Sequence, residues 1–130
     1  MQAKINPESN DLIYLASPYS HPSSVIREKR FDEICRIAAK LMTSGVKLFS
    51  PIAHTHPINE RGIGNPGWEF WRGYDIIMLE KCDQIWVATM HGWKQSVGVT
   101  AEVAYMREHG KPIWYLCPDT LSFFIEEPAE

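Results

Sequence analysis

Residues 12–16, Leu12-Ile13-Tyr14-Leu15-Ala16, form an apolar run that stops at Ser17-Pro18. A strand with one wet face alternates apolar and polar residues, whereas a continuously apolar one has both faces covered. Three further short runs read as strands: Val46-Lys47-Leu48-Phe49, ended by Ser50-Pro51; Ile85-Trp86-Val87-Ala88; and Pro112 to Leu116. Helical segments separate them. The first is expected from Pro22 to Ser44, with Gly45 as its stop. Its apolar stripe is Phe31, Ile34, Cys35, Ala38, Leu41 and Met42, with Arg27, Glu28, Arg30, Glu33 and Lys40 mostly off it. The second spans Trp68 to Lys81, with Trp71, Tyr74, Ile77, Met78 and the stem of Lys81 on one side; the third runs from Ser96 to about His109.

Strand-helix alternation of this kind predicts an α/β fold: a three-layer, doubly wound parallel sheet of four to five strands with helices on both faces. Residues 51–67 hold three prolines and three glycines, which predicts a long loop. The chain reads as one domain over 1–130, with 1–11 as an N-terminal extension and 118–130 as a C-terminal tail that adds a helical turn around Leu121–Ile125. At 130 residues there is material for one core and not for two.

Charge and composition remove several function classes. Thirteen Lys and Arg against sixteen Asp and Glu disfavour a partner made of polymeric nucleic acid, whose phosphates call for a basic excess. No apolar run approaches the roughly 18 residues that would cross a bilayer, so no membrane partner is expected. The N-terminal MQAKINPESND has no signal-peptide core. Cys35, Cys82 and Cys117 are widely spaced within apolar stretches, which suits buried free thiols in a reducing, cytoplasmic setting rather than a zinc site.

In open parallel sheets, ligands bind beyond the carboxyl ends of the strands, where the winding direction reverses. That directs attention to Ser17-Pro18-Tyr19-Ser20-His21, to the 51–67 segment and to His91–Ser96. Ser96 is a good N-cap for the third helix, whose free N–H groups suit an anion or a sugar hydroxyl. Gly98 lies four residues before Glu102 on the same helical face, so Glu102 leans over bare backbone there and leaves room for a substrate atom. On spacing alone, the simpler reading is a solvated helix glutamate beside a glycine kept for packing. Asp75 is a second carboxylate candidate, since Asp is a modest helix former; its simpler reading is a surface residue. Asp83 reads as a helix-to-strand junction.

Taken in order, Leu15-Ala16-Ser17-Pro18-Tyr19, then Asp75 with Cys82-Asp83, then Ser96-x-Gly98-x-x-x-Glu102 resemble the nucleoside 2-deoxyribosyltransferase superfamily over most of residues 12–117. The segment Gly92-Trp93-Lys94-Gln95-Ser96-Val97-Gly98 is similar to a signature of a short bacterial and phage branch. The resemblance implies a flavodoxin-like fold and cleavage of an N-glycosidic bond through a covalent glycosyl intermediate. By it, Glu102 is the nucleophile, Asp75 the acid that protonates the leaving base, and Tyr19 an aromatic that orients nucleophile or sugar. Ser96 stands where relatives that hydrolyse nucleoside 5′-monophosphates meet the phosphate, and where transferases place an Asp. The Arg and Gly-rich run of the phosphate-binding relatives is missing, with His21, Ser23, Ser24 and Arg27 as replacements. A catalytically silent nucleotide-binding module on the same fold is the alternative, and a protein whose main role is interaction is a third.

Substrate contacts are expected from Ser17, Pro18, Ser20, His21, His54, His56, Trp71, Trp93, Ser96 and Gly98. His54-Thr55-His56 with Glu60 lacks a third ligand at a recognised spacing, so no metal and no cofactor are expected. Trp68, Phe70, Trp71 and Trp93 flank the expected cleft, where they would stack on a base or, more ordinarily, form core or interface. The expected partner is a small nucleoside or nucleotide. With Phe123-Phe124 near the C-terminus, the aromatic surplus also suits a homodimer or larger homo-oligomer.

Overall fold

The structure is a computed structural model and describes residues 2–125, 127 and 128. Among the described residues, six strands form one sheet in the order β1-β6-β5-β4-β2-β3: β1 (Gln2–Ala3), β2 (Leu12–Ala16), β3 (Lys47–Phe49), β4 (Gln84–Ala88), β5 (Ile113–Leu116) and β6 (Phe123–Phe124). The central strands β3, β2, β4 and β5 are parallel, while β6 and β1 add an antiparallel edge. Helices α1 (Ser24–Thr43), α2 (Pro51–Ile58), α3 (Trp68–Lys81) and α4 (Val97–Glu108) cover it. This is the expected flavodoxin-like, three-layer α/β fold, with six strands among the described residues where four to five were expected, because the two chain ends add β1 and β6 at one side of the sheet.

Side chains of β2 divide by parity, as a pleated strand requires. Ile13 and Leu15 join Ile34, Ile37, Ala38 and Leu41 of α1 in one core layer. Tyr14 and Ala16 join Leu79 of α3 and Val99, Val103 and Met106 of α4 in the other. The strand is apolar throughout because both faces are covered. The chain leaves β2 toward β3 through α1 and leaves β4 toward β5 through α4, on the opposite face. Crossovers of one hand that move in opposite directions must use opposite faces. The winding therefore reverses between β2 and β4.

Several local expectations are corrected. Ser23, not Pro22, opens α1, its hydroxyl accepting from the Ile26 N–H at 3.4 Å. Met42 is exposed and Ile37 takes its place in the stripe, because the core-facing set is Ile34, Ile37, Ala38 and Leu41. Residues 51–58 are helical, followed by a π-helical turn over Asn59–Ile63, where a loop was expected. Pro51 occupies the first turn, where no N–H is needed, and Ser50 Oγ caps it from the Ala53 N–H at 3.2 Å, while Pro57 falls inside the last turn of α2 and Gly62 breaks the helical backbone after it. On α3 the buried positions are Asp75 and Leu79, while Tyr74 and Ile77 are exposed. The expected helical turn at Leu121–Ile125 is instead β6, and Phe123 is core rather than interface, stacked 4.7 Å from Trp86 and edge-on to Trp114. The three cysteines are free, but only Cys82 is buried; Cys35 and Cys117 are half-buried. Among the described residues, no helix is long and apolar enough to cross a membrane.

Candidate active site

A cavity of about 580 Å³ opens beyond the carboxyl ends of β2 and β4, where the winding reverses. Its wall includes Ser17, Tyr19, Ser20 and His21 from the β2 exit, Trp71 and Asp75 from α3, and Ser96, Gly98 and Glu102 from the start of α4. Nine of the expected site residues thus meet in one place, although they come from three separate stretches of chain.

Glu102 is only 4% exposed, so the solvated-glutamate reading is overturned. Its carboxylate accepts a hydrogen bond from the hydroxyl of Tyr14, which reaches across from β2. Burial and the nearby charge of Asp75 push Glu102 well above the usual carboxylate range, and the Tyr14 bond pulls the other way. Asp75 is also buried, and burial raises its carboxyl to about 7. Among the described residues, its Oδ1 has no hydrogen-bond partner, and neither has the buried Ser17 Oγ. Buried polar atoms are almost always paired, so two such orphans on one cavity wall are unusual.

Tyr14 was missed as a site residue because it sits within a run read as uniformly apolar. The signal present was a single hydroxyl among aliphatic neighbours. Conversely, the Tyr19 hydroxyl does not touch Glu102; it bonds His56 Nδ1 at 2.6 Å and accepts from Asn59 Nδ2 at 3.3 Å. The phenol that contacts Glu102 is Tyr14.

Ser96 Oγ caps α4 by accepting from the Val99 N–H at 3.2 Å, which leaves its own proton to donate. At Gly98, a Cβ would come within 3.4 Å of the Trp68 ring, so the absent side chain keeps that stretch of wall open. Pro18, His54, His56 and Trp93 do not line the cavity. Trp93 is core, 5.6 Å from Tyr115, because its short 3-10 turn folds it under α4. His54 is exposed and stacks on Tyr74, while His56 turns inward to Glu28, so the two imidazoles diverge.

Arg30 was also missed as a wall residue. Its Nη1 donates to the carbonyls of Tyr19 at 3.3 Å and Ser20 at 3.0 Å. Its Nη2 lies so near Gly92 that a Cβ there would fall at 2.6 Å. Among the described residues it has no carboxylate ion-pair partner. Burial pulls its guanidinium below the usual value.

A family model matches residues 11–117, which is most of the chain. The chain belongs to the family described as a domain of unknown function, DUF1937. The DUF1937 span runs from the start of β2 to just past β5 and includes every cavity residue named above. No curated protein matches the chain.

Proposed function

We propose that the cavity cleaves the N-glycosidic bond of a deoxynucleoside or its 5′-monophosphate, in the manner of the nucleoside 2-deoxyribosyltransferase superfamily that the sequence resembles. The observation that carries this reading is the pairing of Asp75 and Glu102 in one buried cavity, with Tyr14 bonded to Glu102 only. Two interacting buried carboxyl groups do not both ionise near neutrality. The Tyr14 hydroxyl favours negative charge on Glu102, and Asp75, whose Oδ1 has no donor, keeps the proton.

Glu102 then attacks the anomeric carbon as the bond to the base breaks, and Asp75 gives its proton to the departing base. In the second half, water or another base attacks the same carbon, the ester to Glu102 breaks, and Asp75 takes up the released proton. Two displacements return the original configuration. Arg30 supports the monophosphate as substrate, since a cation with no carboxylate partner on a cavity wall suits an anionic group. The exposed strip of Phe70, Tyr74 and Ile77 along α3, beside the cavity, supports closure by a second copy of the chain.

Release of free base from deoxynucleosides and their monophosphates, followed chromatographically, tests the reading. Wild-type protein should release base and Glu102→Ala should not. Tight binding with no release of any natural base would support the silent nucleotide-binding module instead.

A further inference from the structure

Arg30 and Gly92 meet on the cavity wall, and neither takes part in the bond cleavage proposed above. Both N–H bonds of Arg30 Nη1 are committed to the β2 exit, to the Tyr19 carbonyl at 3.3 Å and the Ser20 carbonyl at 3.0 Å. So braced, the guanidinium reaches from α1 to the β4 exit, where Nη2 lies against Gly92. The Gly92 carbonyl is already taken by the Gln95 N–H at 3.2 Å. What Nη2 faces is the bare Cα: a Cβ there would lie 2.6 Å from Nη2 and 3.6 Å from Cζ. Nη2 ends a long flexible side chain, so any side chain at position 92 would push the guanidinium aside. The backbone φ of +89° would also admit Asn, so the turn alone does not account for the missing Cβ. Among the described residues, Nη2 donates to no acceptor, and the cavity carboxylates Glu69, Asp75 and Glu102 all lie beyond ion-pairing reach of Arg30.

We propose that Gly92 is a specificity-determining residue: lacking a side chain, it seats the Arg30 guanidinium between the two exit loops, where it selects a phosphoryl group. A guanidinium keeps its charge throughout the physiological range and forms charge-assisted bonds with phosphate oxygens. A neutral hydroxyl at the same point gains no comparable interaction. That the phosphoryl group belongs to a nucleotide rests on the function proposed above, whereas its selection by Arg30 and Gly92 does not.

Inorganic phosphate tests the selection with no base or sugar present. Titrated into ¹⁵N-labelled wild-type protein at constant ionic strength, it should shift the Gly92 amide and the Arg30 side-chain Nε resonances. Silence at both positions overturns the proposal, whichever variants fold. Gly92→Asn accepts the left-handed backbone and places a side chain against Nη2. This variant and Arg30→Gln should each weaken phosphate binding about tenfold, and the double variant should bind no more weakly than either, because both act through one guanidinium. Additive losses, or wild-type phosphate affinity in Gly92→Asn, would show that Gly92 does not seat Arg30, and the proposal fails. Between a 2′-deoxynucleoside and its 5′-monophosphate, the wild type should prefer the monophosphate by about tenfold, a preference that Gly92→Asn loses. A preference that survives this substitution places the specificity elsewhere and also overturns the proposal. If phosphate binds at Arg30 while neither the nucleoside nor the monophosphate is cleaved, the nucleoside reading fails and the role of Gly92 stands.

Discussion

The Tyr14 hydroxyl on β2 donates to the carboxylate of Glu102 on α4, joining two residues 88 positions apart inside the core. A phenol donor stabilises the carboxylate form, so its removal raises Glu102 further above the usual carboxylate range. Tyr14→Phe keeps the packing of the ring and loses only the donor. Its turnover is expected to fall roughly 10- to 100-fold, as for loss of a hydrogen bond to a charged group. The acid limb of the pH–rate profile should also move to higher pH. An unchanged limb would mean that Tyr14 is a packing residue alone.

Asp75 supplies a stability test that needs no substrate. Its folded value of about 7 lies above the ordinary 3.8. At pH below about 4 the carboxyl is protonated in both folded and unfolded chains, and its burial costs little. As pH rises toward 7 the unfolded chain releases the proton first, so the folded state loses stability, by up to about 4 kcal/mol once above 7. Asp75→Asn removes this dependence. Its melting temperature should match the wild type near pH 4 and exceed it near pH 8. A constant difference across that range would contradict the buried placement of Asp75.

Gly98→Ala adds one methyl in ordinary van der Waals contact with Trp68, so the variant should fold with a melting temperature close to that of the wild type. The same methyl occupies cavity space beside Glu102. kcat/KM should therefore fall by about tenfold or more, because small displacements of reacting groups are costly. Equal losses of stability and activity would point to a packing role.

Arg30→Gln separates the two substrate classes. The neutral side chain keeps donors for the Tyr19 and Ser20 carbonyls but carries no charge. Affinity for 5′-monophosphates is expected to drop about 10- to 100-fold, with deoxynucleosides nearly unaffected. Equal losses for both would make Arg30 a brace between the loops and not an anion contact.

The order of strands and helices was legible in the sequence because both patterns are local: a short apolar run bounded by Ser-Pro, and a 3.6-residue stripe between caps. Residues 51–63 were not legible as helical, because the Pro and Gly counted as breakers give no sign of where in a turn they fall. Chain ends misled for another reason. Gln2–Ala3 and Phe123–Phe124 are too short to show a period and become strands only by pairing with each other and β5.

For the candidate site, the sequence by itself determined the participants Asp75, Glu102, Gly98, Ser96 and the Ser17–His21 exit, through helix caps, spacing and an ordered resemblance. Only the tertiary structure decided which groups touch. Glu102 and Asp75 are buried together, Tyr14 rather than Tyr19 meets the carboxylate, His56 turns away from His54 toward Glu28, and Arg30 reaches the cavity from α1. Spacing along a chain fixes which face of one element a residue occupies. Burial and partnership depend on what packs against that face, and here those partners lie tens of residues away.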